Sequence, residues 1–598
     1  MLYYRNYTIL FFTFFKDILI RKWRMKMTPI IKTRAFLLLP VLFLLIVGCA
    51  QTEAPEVESN PDLAAHTAEF KKDIIKITDG VYVAIGYGLA NSTLLEGRDG
   101  VIIVDTLESV EAAREVKKEF DRITKKPVKA IIYTHFHTDH TFGATVFAGK
   151  RKPDIYSHEI TLTYLDRIVS ITRETTYRRA MRQFGNFLPE EDYVNAGIGH
   201  RLLFTENNTI GLIRPNKTFS GERLNLEIAG LKLELVHAPG ETPDQIYIWM
   251  PEKKVLLCAD NYYKSFPNLY AIRGTAYRDV MLWVQSLDKM RALPSEYLVP
   301  HHTRPIAGAK KIHETLTNYR DAIQYVHDQT IRLINKGLTT DEIVEQVKLP
   351  PHLANQPYLH EYYGTVAWSV RAIFDGYLGW FGGNATDLFP LPLKERAERF
   401  ASLAGGEDAL REKAREALLK RDFQWALELA DQLILLDPDD GDAREIRVQS
   451  LTALGKEQIA ATGRNYYLTQ ALETKGALKI AVMQNKQKEV VHAIPLISIF
   501  KGMAVHLNPE KSAEVNTIVG FRFPDTGEAY TVHVRRGVAE IQPRFPAKPD
   551  ISVTVPSTVW KEIVAGLRNP ALALVGGDVR ITGGTLNLVR FLGLFNDD

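Results

Sequence analysis

Four side chains able to bind a metal ion fall within six residues, in the run Thr134-His135-Phe136-His137-Thr138-Asp139-His140. Neutral imidazole and carboxylate are good ligands for zinc and its neighbours. Such a cluster can hold two ions side by side, which points to metal-assisted hydrolysis. It cannot fill two coordination shells alone. Three further segments offer the missing ligands: His237-Ala238-Pro239-Gly240-Glu241-Thr242, Ala259-Asp260-Asn261 and Val299-Pro300-His301-His302-Thr303.

Each of these segments follows a short apolar run, so the positioning elements are strands. Val81–Ala84, Asn91–Leu95 and Val101–Asp105 alternate with glycine-bearing turns and read as strand–turn–strand. Residues 107–122 read as an amphipathic helix and Val128–Tyr133 as a buried strand. The histidine run lies beyond the carboxyl end of that strand, where open α/β sheets place their sites. Residues 157–200 read as largely helical. Strands return at Leu224–Ile228, Leu231–His237, Gln245–Met250 and Lys254–Cys258, then a helix over 276–292 and a strand at Tyr297–Pro300. Residues 311–475 read as almost wholly helical, with 407–462 similar to tetratricopeptide-type helix pairs. Strands and helices mix again beyond 476.

The chain has 598 residues, 45% of them hydrophobic and 24% charged, as expected of a globular protein with several domains. Its start is different. A basic stretch (Arg21, Lys22, Arg24, Lys26, Lys32, Arg34) precedes an apolar run from Ala35 to Val47, too short for an ordinary membrane span. It reads as a secretory signal. The ending Leu45-Ile46-Val47-Gly48-Cys49 resembles a bacterial lipobox, which implies cleavage before Cys49 and lipid attachment to its sulfur. Ala50 then favours the outer membrane, on the periplasmic side of the cell envelope. An uncleaved anchor helix is the alternative. Met25 and Met27 are alternative starts that would leave residues 1–24 untranslated. Residues 1–48 carry eight Lys/Arg and one Asp, so their removal takes the formal charge from +3 to −4. The basic balance therefore belongs to the targeting segment and gives no case for nucleic-acid binding. Cys49 and Cys258 are the two cysteines, so a lipidated Cys49 leaves no intrachain disulfide.

The order His135, His137, Asp139, His140, with Gly143 following, resembles the HxHxDH motif of the metallo-β-lactamase superfamily. The resemblance implies an α/β fold, an αββα sandwich, and two divalent metal ions, zinc by expectation. It places His135 and His137 on the first metal, Asp139 and His140 on the second, Asp260 as the bridging carboxylate and His302 as the last histidine, with His301 as the fallback. Much of the superfamily has His where this chain has Glu241; a carboxylate there resembles the alkylsulfatase branch. The competing reading makes Glu241 a loop residue and His237 the ligand. Asp260 departs from the Glu usual in alkylsulfatases.

Other stretches resemble the same branch: Gln183-Phe184-Gly185, Gly197-Ile198-Gly199, Asn268-Leu269-Tyr270-Ala271-Ile272-Arg273-Gly274 and Gly376-Tyr377-Leu378-Gly379-Trp380-Phe381. They imply residues 71–311 as a catalytic domain, 312–475 as a helical dimerisation domain and 476–598 as an α+β sterol-carrier-like domain with an apolar groove, after a tether at 49–70. A homodimer is expected. Arg273, whose guanidinium matches a tetrahedral oxyanion, and Asn268 are expected to hold the sulfate of a small amphiphilic ester. Asp139 and Arg273 are the residues expected to act in the reaction, a hydrolysis to alcohol and sulfate by a hydroxide bridging the metals. Tyr377 and Trp380 read as core. Two departures bear on substrate range: Ala271 replaces a Thr, and Trp368 stands where many relatives have His. The alternatives are another hydrolase of the same fold, acting on a lactone, β-lactam or phosphate ester, and a lipid-binding envelope protein with a weak metal site.

Overall fold

The structure, a computed structural model, describes residues 57–168, 171–482 and 487–595. Cys49 and the signal segment lie outside the described residues. Two sheets face each other. The first holds β1 (Asp73–Thr78), β2 (Val81–Ile85), β3 (Ser92–Glu96), β4 (Val101–Val104), β5 (Val128–Ile132), β6 (Asp154–His158) and β7 (Lys217–Phe219), in that order. β1 to β4 pair antiparallel and β4 to β7 parallel. The second sheet runs from β8 (Arg223–Ile228) through β9 (Leu231–His237), β10 (Ile246–Met250), β11 (Val255–Ala259) and β12 (Tyr297–Pro300) to β13 (Ile306–Ala307).

Alternation along the strands builds the layers. Ile102, Val104 and Ile132 of the first sheet pack against Leu235, Ile248, Leu257 and Val299 of the second. Their neighbours Ile103, Ile131 and Tyr133 point outward onto the helix Val110–Ile123. That helix starts where the Ser109 hydroxyl accepts the Ala112 amide at 3.3 Å. Its buried face is Val110, Ala113, Val116 and Phe120, at helical spacing. On the other side Val236, Tyr247 and Leu256 pack against Trp283, Leu287, Leu316 and Tyr319 of the helices Val280–Arg291 and Ala309–Ile334. The result is the expected αββα sandwich. β4 (Val-Ile-Ile-Val) is buried on both faces, which is why it reads as an unbroken apolar run.

Two boundaries move. A division at 311 cuts the Ala309–Ile334 helix, whose Ile312, Leu316 and Tyr319 share a core with Trp283 and Leu256. Residues 57–70 are no tether: helix Pro61–His66 and a 3₁₀ turn bury Leu63, His66 and Phe70, and His66 stacks on Tyr362 at 3.9 Å. Three buried anchors over so short a span leave no periodicity to read. Tyr377 and Trp380 are also not core; they are 53% and 73% exposed.

Helices Glu407–Leu419, Phe423–Leu436, Gly441–Glu457 and Ala461–Thr474 follow one another through short connections, the pattern expected of helix pairs. The C-terminal part is a mixed sheet ordered β16 (Val538–Gln542), β15 (Glu528–Arg535), β14 (Asn516–Phe523), β17 (Ile551–Thr554), β18 (Arg580–Thr582). Helices pack on it around Phe500, Phe521, Phe523 and Trp560. Among the described residues no helix is long and apolar enough to cross a membrane.

Candidate metal centre

β4, β5, β9, β11 and β12 end along one edge of the sandwich, and the polar residue or loop after each strand carries a site residue. Backbone is strained there: Asp105, Ala259 and Thr303 have φ of 56°, 52° and 63°. Such conformations cost about 1–3 kcal/mol each and cluster where a side chain must be aimed. Gly240 is required by packing, since a Cβ there would overlap the Asn261 amide oxygen.

The seven expected ligands come together. His135 Nε2 faces His137 Nδ1 at 3.0 Å and Asp260 Oδ2 at 3.5 Å. His140 Nε2 lies 3.4 Å from both Asp139 Oδ2 and Asp260 Oδ2. His302 Nε2 lies 3.2 Å from Asp260 Oδ2 and 3.5 Å from Asp139 Oδ2. Ligand atoms of His137, Glu241 and Asp260 lie within 4.8 Å of one another. Asp260 thus belongs to both groupings, as a bridging carboxylate must. The two fallbacks do not join them. His237 stacks on His158 at 4.0 Å and gives its Nε2–H to the Pro243 carbonyl at 2.8 Å. His301 turns its Nδ1–H to Asp105.

The imidazoles are held in one tautomer by acceptors behind them. Asp105 Oδ2 accepts from His140 Nδ1 at 2.6 Å and from the Thr134 hydroxyl at 2.7 Å, while Oδ1 takes the Thr134 amide at 2.8 Å. With its proton committed to Asp105, the Thr134 oxygen accepts from His135 Nδ1 at 3.0 Å. The Leu89 carbonyl accepts from His302 Nδ1 at 2.9 Å. Protons on these Nδ1 atoms leave the Nε2 lone pairs of His135, His140 and His302 facing inward. His140 Nε2, His302 Nε2 and Asp260 Oδ1 are buried without any hydrogen-bond partner. Orphaned lone pairs of this kind are costly unless a cation meets them, so the donor set fits divalent metal.

Electrostatics agree. Burial, and then the neighbouring His140, push the His135 pKa down to about 3, and burial with His135 and Arg273 holds His137 well below its ordinary value. Both are neutral ligands near pH 7. Burial alone would raise Asp260, but His302, His140 and His135 outweigh it and hold the carboxyl well below its usual range. Burial would lower His140 and His302, yet Asp260 and Asp139 raise both. The carboxylates therefore draw positive charge onto this spot.

Around the first grouping stand Tyr263 and Arg278, which sequence reasoning did not find, and Arg273, which it did. Tyr263 gives its hydroxyl proton to Glu241 Oε2 at 3.2 Å and accepts the Asn268 amide at 2.8 Å. Arg278 Nη1 pairs with Glu241 Oε1 at 3.2 Å and also donates to the Asn268 carbonyl. Arg273 Nη2 approaches His137 Nε2 at 3.1 Å. Helix Arg173–Phe184 grips the same loop: Arg179 donates twice to the Ile272 carbonyl (2.6 and 3.2 Å), and the Gln183 side-chain oxygen takes the Arg273 amide at 2.9 Å. Asp105 carried a sequence signal, a lone acid closing the Val101–Val104 run; Arg278 and Tyr263 carried none. Trp368 is half-buried, its ring against Gly463.

Comparison with known proteins agrees with this layout. The metallo-beta-lactamase superfamily model matches residues 85–302, the alkyl sulfatase dimerisation model 339–477 and the alkyl sulfatase C-terminal model 484–598. A linear primary-alkylsulfatase of a Pseudomonas sp. is 40% identical over 524 residues, 84% of this chain and 98% of the relative. An alkyl/aryl-sulfatase of Saccharomyces cerevisiae is 29% identical over 92% of this chain and 86% of its own. The solved stereoselective inverting sec-alkylsulfatase of a Pseudomonas sp. superposes with a TM-score of 0.84 at 27% identity, covering 92% of this chain and 88% of that one. With a carboxylate ligand candidate at Glu241 and 40% identity across almost the whole of one such relative, the chain belongs to the alkylsulfatases, the sulfuric ester hydrolases of the metallo-β-lactamase superfamily.

Proposed function

We propose that this chain hydrolyses alkyl sulfate esters to alcohol and inorganic sulfate at a centre of two divalent metals, zinc by preference. The observation that carries the reading is the juxtaposition of a metal-type donor set with unpaired anion donors. Seven candidate ligands lie together, Arg273 Nη2 comes within 3.1 Å of His137 Nε2 among them, and Arg273 Nη1 and Asn268 Nδ2 are buried without an acceptor. His135, His137 and Glu241 would hold the first metal, Asp139, His140 and His302 the second, with Asp260 between them. Bound there, the metals would lower the pKa of water toward neutrality.

The chain's own residues do the rest. Arg273 and Asn268 present N–H groups to sulfate oxygens, and burial strengthens those contacts by excluding water. Arg179 and Gln183 fix the backbone on either side of Arg273, so its guanidinium arrives preorganised. Asp105 keeps His140 in register. The reading extends to a homodimer formed through the dimerisation region, and to a lipid anchor at Cys49 that holds the enzyme in the bacterial envelope, favouring the outer membrane. The dimer is supported by the dimerisation-model match, and the anchor by the lipobox-like run alone. Incubation of zinc-loaded protein with dodecyl sulfate, with inorganic sulfate measured, tests the reaction. Absence of sulfate release at full metal content would sink it.

A further inference from the structure

Glu108 is a fully buried acid in the turn between β4 and the helix Val110–Ile123. Taking a carboxyl group out of water is costly unless donors meet it. Here the donors are backbone amides from two different loops. Oε1 accepts the Leu203 N–H at 2.8 Å and the Leu89 N–H at 3.1 Å, and Oε2 reaches the Leu89 N–H at 3.3 Å. Two glycines make room for this arrangement. A Cβ at Gly88 would overlap the Glu108 carboxyl oxygens, and one at Gly199 would overlap the Leu89 carbonyl. Burial pushes the Glu108 pKa up to about 7, against the pull of the Leu203 amide. Near neutrality the group therefore holds its place by accepting hydrogen bonds more than by charge.

Leu89 carries this clamp to the metal centre. Its carbonyl accepts from His302 Nδ1 at 2.9 Å. Two residues on, the Asn91 amide donates to the His301 carbonyl at 2.6 Å, and the Asn91 side chain donates to the carbonyls of Pro300 and Thr303 at 3.2 and 2.8 Å. The segment 86–91 thus grips the His302 loop at four points. His302 depends on that grip in a way that two of its fellow ligands do not. His135 and His140 lean on the side chains of Thr134 and Asp105, which stand at strand ends. His302 leans on a backbone carbonyl in a segment with glycines at 86 and 88, whose freedom must be restrained from outside.

We propose that Glu108 is a positioning residue for His302: by pinning the Leu89 amide it keeps the Leu89 carbonyl in place, and that carbonyl aims the imidazole at the second metal. The inference rests on the two-metal sulfatase reading and goes one layer behind it. His302 Nε2, buried without a partner, stands 3.2 Å from Asp260 Oδ2 and 3.5 Å from Asp139 Oδ2. A ring freed at Nδ1 can rotate or change tautomer, and Nε2 then no longer offers its lone pair there. On the first metal, His135 leans on Thr134, and Glu241 on Tyr263 and Arg278. Loss of Glu108 should therefore weaken one ion of the pair and spare the other.

The test uses the zinc-loaded full chain, dialysed against graded chelator, with zinc per chain measured by elemental analysis. Glu108→Ala should release one of the two ions at about tenfold or more lower chelator strength, and the other as in the parent. Glu108→Gln keeps an acceptor oxygen for the Leu89 and Leu203 amides and should recover most of the lost affinity. His302→Ala should weaken the same ion. Adding Glu108→Ala to it should change little further, because both act on one ion through one contact. Gly88→Ala crowds the carboxyl off Leu89 with Glu108 intact, so it should shift that ion too; it also serves where Glu108→Ala folds poorly. Parent-like release of both ions from Glu108→Ala or from Gly88→Ala would overturn the proposal. So would equal loss of both ions, or effects of Glu108→Ala and His302→Ala that add in full, because Glu108 would then only support the fold. A parent that binds two ions per chain and releases sulfate from dodecyl sulfate keeps the functional reading intact whatever Glu108 does. A parent that does neither refutes that reading itself.

Discussion

Replacing Asp105 by Asn should disable the metal centre without touching a metal ligand. Asp105 is fully buried and accepts four hydrogen bonds, from His140 Nδ1, His301 Nδ1, the Thr134 hydroxyl and the Thr134 amide. Burial alone would raise its pKa; His301 and His140 outweigh it and hold the carboxyl below its ordinary range, so it stays ionised. Asparagine keeps the shape but turns one acceptor oxygen into a donor facing other donors. Two charge-assisted bonds to imidazole, each contributing about 1.5–3 kcal/mol, are lost or inverted. His140 is then free to flip, and its Nε2 no longer faces Asp260 and Asp139. Outer contacts of this kind are typically worth about 10- to 100-fold in metal affinity. Dialysis against graded chelator, followed by metal analysis, reads this directly. Asp105→Asn should surrender metal at about 10- to 100-fold lower chelator strength, and sulfate release should fall with it. Metal retention within twofold of the parent would refute the argument that Asp105 sets the tautomer.

Three other outcomes follow from the same geometry. Burial lowers the His66 pKa to about 4, while the unfolded chain titrates near 6.5. The unfolded state thus binds the extra proton between those values, and stability falls by about 3 kcal/mol as pH drops from 6.5 to 4. His66→Gln should flatten that part of the thermal-midpoint profile; an unchanged slope would contradict it. Phe389 and Leu403 are 95% and 88% exposed within the dimerisation-model region. If a second copy covers them, each contributes about 1.5–3 kcal/mol, and Phe389→Asp with Leu403→Asp should weaken the dimer about 100-fold or more by sedimentation. A dimer of unchanged affinity would place the interface elsewhere. His137→Ala removes a nitrogen that lies 3.0 Å from His135 Nε2, and should abolish turnover; retained activity would overturn the ligand assignment.

What could be read from the sequence was what adjacent residues carry together. His135, His137, Asp139 and His140 share one loop, so their convergence needs no tertiary information. Glu241, Asp260 and His302 were legible because each follows an apolar strand and because family resemblance supplied the pairing. The Asp105 signal was present but weak: an acid at the end of a buried strand is also a common turn residue. Arg278 and Tyr263 were illegible because their roles exist only once the loop 260–278 folds back onto Glu241. Tyr377 and Trp380 misled because large aromatic side chains in an apolar run usually pack inside, whereas here the chain leaves both exposed. Residues 57–70 misled in the opposite sense, since His66 gains its place from stacking on Tyr362, nearly three hundred positions away in the sequence.

The most direct test of the whole account is a metal titration of the stripped protein, with sulfate release from dodecyl sulfate as the readout. The account predicts no release without metal, activity that climbs with added Zn²⁺, and a plateau at two ions per chain. Release by the metal-free protein, or none at two ions per chain, would contradict it.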